Sequence, residues 1–198
     1  MDSKTIETYN QLAREYDEET SDFWELFPRA FIDTFATEVG NGKILNVGSG
    51  PGRDGLLLKD RRLDVTCLDA SSAMVELSRQ RGLTSIVGDF LDLPFENESF
   101  EGVWAYTSLL HIPKSDIRLA FTEIRRVLKL NGVFALGLIE GSTESYRESS
   151  GVNQPRWFSY YSHTEVMELL QEFNFKFLHS KSFKPKSKNY LHFLSRKA

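Results

Sequence analysis

The stretch ILNVGSGPGRD, Ile44 to Asp54, decides the reading of this chain. Lys43–Val47 is a short apolar run of strand type, and Gly48-Ser49-Gly50-Pro51-Gly52 follows it directly. A helix through Leu56–Leu58 comes next. A glycine-rich strand-to-helix turn lets backbone approach a ligand closely. The helix after it presents free N–H groups at its start. Open α/β sheets bind ligands at the carboxyl ends of their strands, where this turn lies. A tight turn without a ligand is the alternative. A dinucleotide site would want G-x-G-x-x-G. Gly48 and Gly50 fit that spacing, but the sixth position is Arg53 and the third glycine, Gly52, comes one residue early. The departure counts against NAD.

Downstream, strands and helices alternate. Asp64–Leu68 reads as a second strand and ends in Asp69, 21 residues after Gly48. A carboxylate there can accept hydrogen bonds from ribose hydroxyls; its alternative role is a helix cap, since Ser71 and a helix over Ser72–Gln80 follow. Thr84–Val87 is a third strand leading into Gly88-Asp89-Phe90. Asp89 can accept from an adenine amino group and Phe90 can contact the ring. Glu101–Tyr106 is a fourth strand, with a helix from about Pro113 to Lys129 behind it and a turn at Asn131-Gly132. Val133–Ile139 is apolar throughout, as a strand covered on both faces should be. The alternation predicts a doubly wound, parallel α/β sheet.

The flanks read differently. Residues Thr5 to Tyr16 place Tyr9, Leu12, Ala13 and Tyr16 at helical spacing. A second helix is expected from Asp22, with Glu25 in capping-box spacing and Gly40-Asn41-Gly42 as its stop. Gly141–Pro155 is rich in Ser, Glu and Gly and long for a loop, which suggests a lid. Ser162 and Glu165 form a capping box for a helix over Val166–Phe173. Phe175–Phe183 and Tyr190–Leu194 flank Lys184–Lys188 and predict a long hairpin. The expected organisation is one domain over 1–198: a helical cover at 1–40, a core at 41–140, and a lid, last helix and hairpin at 141–198.

Composition narrows the class. The chain has 198 residues, 40% hydrophobic and 26% charged, which excludes a disordered tail protein. One cysteine, Cys67, excludes an intrachain disulfide and a Cys-based zinc cluster. No carboxylate/His cluster has metal-ligand spacing, so no metal is expected. The N-terminal MDSKTIETYN lacks an apolar signal region. The longest apolar stretch falls far short of the roughly 20 residues a membrane span needs. A soluble, cytoplasmic protein is expected. The net charge of −4 divides unevenly: residues from Phe173 onward carry seven basic and no acidic side chains, leaving −11 on residues 1–172. The overall sign argues against a nucleic-acid partner, while the basic end keeps that question open.

With ILNVGSGPGRD, LDAS at Leu68–Ser71, GDF at Gly88–Phe90, FEGVWAYTSLLHIP at Phe100–Pro113 and EIRRVLKLNG at Glu123–Gly132, the chain resembles the class I S-adenosylmethionine-dependent methyltransferases. The Tyr9…Ala13…Tyr16-Asp17 pattern resembles the family's small-molecule members. The resemblance implies a seven-stranded, mixed, Rossmann-like sheet with an antiparallel last strand, and S-adenosyl-L-methionine as cofactor. It implies that Gly48, Ser49, Gly50 and Gly52 shape the methionine end and that Asp69 binds ribose. Ala70 and Met74 would line the adenosine pocket, Asp89 and Phe90 would bind adenine, and Ala105 and Tyr106 would lie under the methionyl portion. Tyr16 would close the site. Asn46 stands where the family usually has Asp, which helps anchor the cofactor's ammonium; losing that charge points to weaker affinity. Glu101 replaces an Asp of the fourth-strand motif, a milder change.

Methyl transfer from a sulfonium is an in-line displacement, so alignment does most of the work, roughly 7–11 kcal/mol. His111, after the fourth strand, is the candidate general base, with a structural hydrogen-bonding role as the alternative. In Arg156-Trp157-Phe158-Ser159-Tyr160-Tyr161, Arg156 could fork an acceptor's carboxylate or phosphate, and Trp157 and Tyr160 could wall the acceptor pocket. These aromatics could equally pack the last helix on the sheet. The expected function is methyl transfer to a small-molecule acceptor. The alternatives are an RNA (tRNA) methyltransferase using the basic hairpin and, given Asn46, a non-catalytic cofactor-binding protein. Acceptor and oligomeric state are not legible.

Overall fold

The computed structural model describes residues 2–148 and 152–198. Five strands pair in parallel: β1 (Lys43–Val47), β2 (Asp64–Asp69), β3 (Thr84–Val87), β4 (Phe100–Tyr106) and β5 (Leu128–Ile139). A separate antiparallel pair follows, β6 (Glu144–Arg147) and β7 (Arg156–Ser159). The chain then returns as the hairpin β8 (Phe175–Phe183) and β9 (Tyr190–Lys197). The main sheet has seven strands in the order β3-β2-β1-β4-β5-β9-β8, with β9 antiparallel to both neighbours. This is the mixed, doubly wound sheet with an inserted antiparallel last strand. The order reverses between β1 and β4, and a crevice opens there at the carboxyl ends of the strands.

Eight α-helices are described: α1 (Ser3–Gln11), α2 (Ala13–Glu19), α3 (Ser21–Leu26), α4 (Arg29–Val39), α5 (Arg53–Lys59), α6 (Ser72–Gln80), α7 (Ile117–Val127) and α8 (His163–Glu172). Alternation along β4 divides the core. Val103 and Ala105 pack on one face with Phe121 of α7 and Leu170 of α8. Trp104 and Tyr106 pack on the other with Phe31 and Phe35 of α4 and Leu58 of α5. None of the described helices is long and apolar enough to cross a membrane.

The N-terminal cover holds four helices where two are expected. Leu12 breaks the first at φ −121° and ψ 31°. Pro28 splits the second, because the residue before a proline is pushed out of the helical region, and Phe27 sits at φ −57° and ψ 131°. The Asp22–Glu25 capping box does not form. Thr20 precedes α3 without a side-chain cap bond, and its hydroxyl donates back to Tyr16 O at 2.9 Å. The box at Ser162 and Glu165 does form. The turn expected at Asn131-Gly132 lies inside β5 as an irregularity: pairing with β4 jumps from Phe100–Leu128 to Gly102–Val133, and Asn131 is left-handed at φ 62°. The expected lid is partly a strand, since β6 pairs with β7; residues 149–151 of that stretch lie outside the described residues.

Candidate functional site

The turn after β1 folds over the end of β2. Gly48 N and Ser49 N both donate to Leu68 O, at 2.7 and 3.0 Å. Gly48 sits at φ 64°, and a Cβ there would lie 2.3 Å from Ser108 Cβ, so only glycine lets the turn pass under the residues that follow β4. Gly50 N donates to Asp69 Oδ2 and Ser71 N to Asp69 Oδ1, both at 2.8 Å. Asp69 is not the cap of α6. Ser71 fills that position, its hydroxyl accepting from Met74 N at 3.2 Å. Burial pushes the Asp69 carboxyl up to about 6 despite its hydrogen bonds.

These residues edge an inner cleft. Tyr16, Gly48, Ser49, Gly50 and Asp69 line it, as do Ala70, Met74, Phe90 and Tyr106. Asn46, Gly52, Asp89 and Ala105 do not. Ala105 points to the opposite face of β4 and belongs to the α7 and α8 core. Gly52 instead packs α5 against its surroundings: at φ 84°, an added Cβ would lie 2.6 Å from both Leu83 Cδ1 and Ser78 Oγ. Asp89 accepts from Leu91 N at 2.9 Å in the turn after β3.

Asn46 lies beneath the turn, and its amide donates to Asp54 Oδ1 at 2.8 Å. Asp54 also accepts from Gly55 N at 2.8 Å and from Trp104 Nε1 at 3.0 Å. It is buried, its carboxyl pushed up to about 6 by burial, and it lines the inner cleft. An aspartate at 46 would set two carboxylates within hydrogen-bond distance. In this chain position 46 is a donor and the negative charge sits on Asp54. Sequence reasoning missed Asp54, although it closes the deciding motif and stands in the first turn of α5.

An outer cavity of about 570 Å³ adjoins the cleft. Tyr9, Tyr16, Trp24, Thr107 and His111 line both. His111 Nδ1 lies 2.6 Å from Trp157 O, and a carbonyl can only accept, so Nδ1 carries the proton. Nε2 therefore accepts from the Tyr9 hydroxyl at 2.7 Å. Arg156 Nη1 donates to that same hydroxyl at 3.2 Å. Burial pushes His111 down to about 3, with the Trp157 carbonyl opposing and the Arg156 charge adding to the shift. The imidazole is neutral at pH 7 with both nitrogens engaged. It holds Tyr9 in place, which is the structural alternative for His111.

Arg156 and Phe158 line the outer cavity; Trp157 and Tyr160 do not. Successive strand residues face opposite sides. Trp157 thus turns away, its ring edge-on to Tyr146 at 5.1 Å and its Nε1 donating to Ser159 Oγ at 3.0 Å. Tyr160 lies past the end of β7 with the Arg147 guanidinium 5.0 Å from its ring. Trp24, Thr107, Ser108 and Phe158 join the walls without a role expected from sequence, and Tyr9, marked there only by the N-terminal pattern, joins them.

The cover is fastened to the cleft by polar contacts. Asp17 pairs with Arg53 beside the glycine turn and with Arg81 after α6, each at 2.6 Å. Asn10 Oδ1 accepts from the Ser71 hydroxyl at 2.8 Å.

Comparison with known proteins agrees with this architecture. Residues 44–132 match the family described as a methyltransferase domain. The uncharacterized protein MJ1123 of Methanocaldococcus jannaschii is 25% identical over 177 residues, 86% of this chain and 82% of that protein. Demethylmenaquinone methyltransferase of Thermotoga maritima is 35% identical over 114 residues, 55% of this chain and 49% of that enzyme. The match thus spans about half of that enzyme's length. The crystal structure of Burkholderia thailandensis 1,6-didemethyltoxoflavin-N1-methyltransferase, with bound 1,6-didemethyltoxoflavin and S-adenosylhomocysteine, superposes with a TM-score of 0.75 at 19% identity. It covers 98% of this chain and 88% of that one. Fold and cleft together define a Rossmann-like methyltransferase domain. Residues 44–132 thus match a methyltransferase domain, and the chain is similar in fold to S-adenosylmethionine-dependent methyltransferases.

The residues present fit that family's cofactor. The Ser108 hydroxyl is buried at the cleft wall with no partner among the described residues. Two buried carboxylates face the cleft, and Met74 and Phe90 give it apolar walls.

Proposed function

We propose that this enzyme transfers the methyl group of S-adenosylmethionine to a small-molecule acceptor held in the outer cavity. The observation that carries the reading is the shared wall: one set of side chains borders both the cleft and the outer cavity. In this reading Asp69 holds the ribose hydroxyls and Asp54 faces the ammonium. Gly48, Ser49 and Gly50 bring backbone to the methionine end. Phe90 and Met74 contact the adenine, and Tyr16 covers the site. The cofactor supplies an activated sulfonium methyl. The chain's own task is to align the acceptor and exclude water, which is worth roughly 7–11 kcal/mol.

His111 is a poor base here, because a group held at about 3 has too little affinity for a proton at pH 7 and both its nitrogens are engaged. It acts as a positioning residue that fixes the Tyr9 hydroxyl at the shared wall. The basic hairpin gives weak support to an RNA acceptor. Arg196 pairs with Glu38 at 2.6 Å, Lys197 with Glu98 at 3.3 Å and Lys186 with Asp22 at 3.7 Å, so three of its seven basic side chains are balanced within the chain.

Calorimetry with S-adenosylhomocysteine tests the reading. Binding by the wild type and its loss in Asp69→Ala is the expected result. Equal heats from the two proteins refute the cofactor site. Salt-dependent retention of tRNA on a filter would favour the RNA acceptor instead.

A further inference from the structure

The amides of the glycine turn are spent within the fold. Gly48 N and Ser49 N donate to Leu68 O, Gly50 N to Asp69 Oδ2 and Gly52 N to Ser49 O at 3.0 Å, while Pro51 has no N–H. The turn can offer a ligand carbonyls but no backbone donor. The methionine end of the cofactor carries a carboxylate as well as an ammonium, and the two acids of the cleft, Asp54 and Asp69, suit only the ammonium. Donors for the carboxylate must come from side chains. Arg53, the cation among the cleft walls, has Nε on Asp17 Oδ1 at 2.6 Å and Nη2 on Asp17 O at 2.9 Å. Two hydroxyls of the cleft wall are buried without a partner among the described residues, those of Ser49 and Ser108. The Ser49 hydroxyl neighbours the buried Cys67 thiol. Ser108 is 5% exposed, and its carbonyl accepts from His111 N at 3.0 Å while its side chain stays unpaired. Thr107 before it sits at φ 53°, a costly conformation for a β-branched residue, and the chain there lays Ser108 over Gly48, which has no side chain to block the hydroxyl. A buried hydroxyl without a partner costs stability that an alanine would not.

We infer that Ser108 is a cofactor-binding residue whose hydroxyl donates to the carboxylate of the methionine end. A hydroxyl that meets a carboxylate makes a charge-assisted bond, roughly twice as strong as a neutral one. The two ends of the amino acid are then held by different chemistry, the ammonium by an acid and the carboxylate by a neutral donor. Thr107 borders both the cleft and the outer cavity, so a carboxylate held at Ser108 lies beside the shared wall. This assignment rests on the methyl-transfer reading above.

The test compares three ligands by calorimetry: S-adenosylhomocysteine, its analogue lacking the carboxylate and its analogue lacking the amine. Each is titrated into wild type, Ser108→Ala and Arg53→Met. Ser108→Ala should weaken S-adenosylhomocysteine and the amine-free analogue about tenfold, the worth of one charge-assisted hydrogen bond. It should leave the carboxylate-free analogue within about twofold. Ligand-free Ser108→Ala should unfold at a urea midpoint at or above that of wild type, because its hydroxyl has no partner to lose. Equal losses for all three ligands, a loss confined to the two that carry the amine, or no loss overturns the inference. So does a carboxylate-dependent loss seen only in Arg53→Met, or a lowered midpoint in Ser108→Ala. If none of the three ligands binds the wild type, the methyl-transfer reading falls instead.

Discussion

The inner cleft and the outer cavity are built by opposite strategies. The cleft is assembled at adjacent strand ends from backbone amides, carboxylates and one left-handed glycine turn. The outer cavity gathers side chains from α1, α2, α3, the residues after β4, strand β7 and the hairpin turn. Its central contact, Tyr9 to His111, joins residues 102 apart in sequence, and Arg156 to Tyr9 joins residues 147 apart. A cofactor common to many enzymes suits a locally encoded site. A particular acceptor suits a wall that distant segments compose together.

Substitutions that damage one half and spare the other sharpen this contrast. Asp69→Ala should have the largest effect: losing two charge-assisted hydrogen bonds to ribose, each worth about 1.5–3 kcal/mol, lowers S-adenosylhomocysteine affinity at least about a hundredfold. Gly48→Ala should destabilise the fold by about 2–4 kcal/mol, through the left-handed φ and the contact with Ser108, read as a lower urea midpoint.

Asp54→Asn should weaken S-adenosylhomocysteine binding about tenfold. Its pH dependence is diagnostic. Asp54 and Asp69 both titrate near 6, above the ordinary carboxyl value of 3.8, and the cofactor's ammonium favours the ionised form of Asp54. Affinity is therefore full above pH 6 and falls as pH drops through 6, where the carboxylates take up protons. Calorimetry at pH 5 and 7.5 should show a shallower slope in Asp54→Asn. An unchanged slope would mean that Asp54 does not face the ammonium.

Tyr9→Phe should cost about 1–2 kcal/mol of stability, because it strands the buried His111 Nε2 and an Arg156 N–H. It should leave S-adenosylhomocysteine affinity within about threefold, a shift under 1 kcal/mol. Trp157→Phe should do least, changing benzyl alcohol binding in the outer cavity less than about twofold, since its ring faces Tyr146. A large effect there would mean that β7 presents its other face to the acceptor.

The same contrast explains what could be read from the chain. β1 and β3 carry the bounds expected of them, and β2 and β4 differ by one residue, because a buried parallel strand ends where its apolar run ends. Asp69 and Phe90 stand at strand ends and reach the cleft, while Asp89 turns into a local hydrogen bond. Asp54 was hidden because an acid in the first turn of a helix is ordinary. The N-terminal pattern marks Tyr9 but not its role as a wall, because an aromatic at helical spacing reads equally as core. The type of Trp157 suits a pocket wall as well as core packing, and the alternation along β7 turns it to the side opposite Arg156 and Phe158. Nothing local to Lys188 marks it as a cavity residue; the hairpin has to fold back first.

One detail of the sheet binds two neighbouring strands together. Gly137 on β5 is paired with Tyr106 on β4, and a Cβ at 137 would lie 2.2 Å from the Tyr106 ring. The phenol lies across the place a side chain would occupy and reaches His192 on β9, 2.7 Å from its hydroxyl. An aromatic at 106 and any side chain at 137 exclude each other sterically. Across descendants of this sheet the two positions are free to drift only as a couple, and a ring that lines the cleft inherits its tilt from a strand that never touches it.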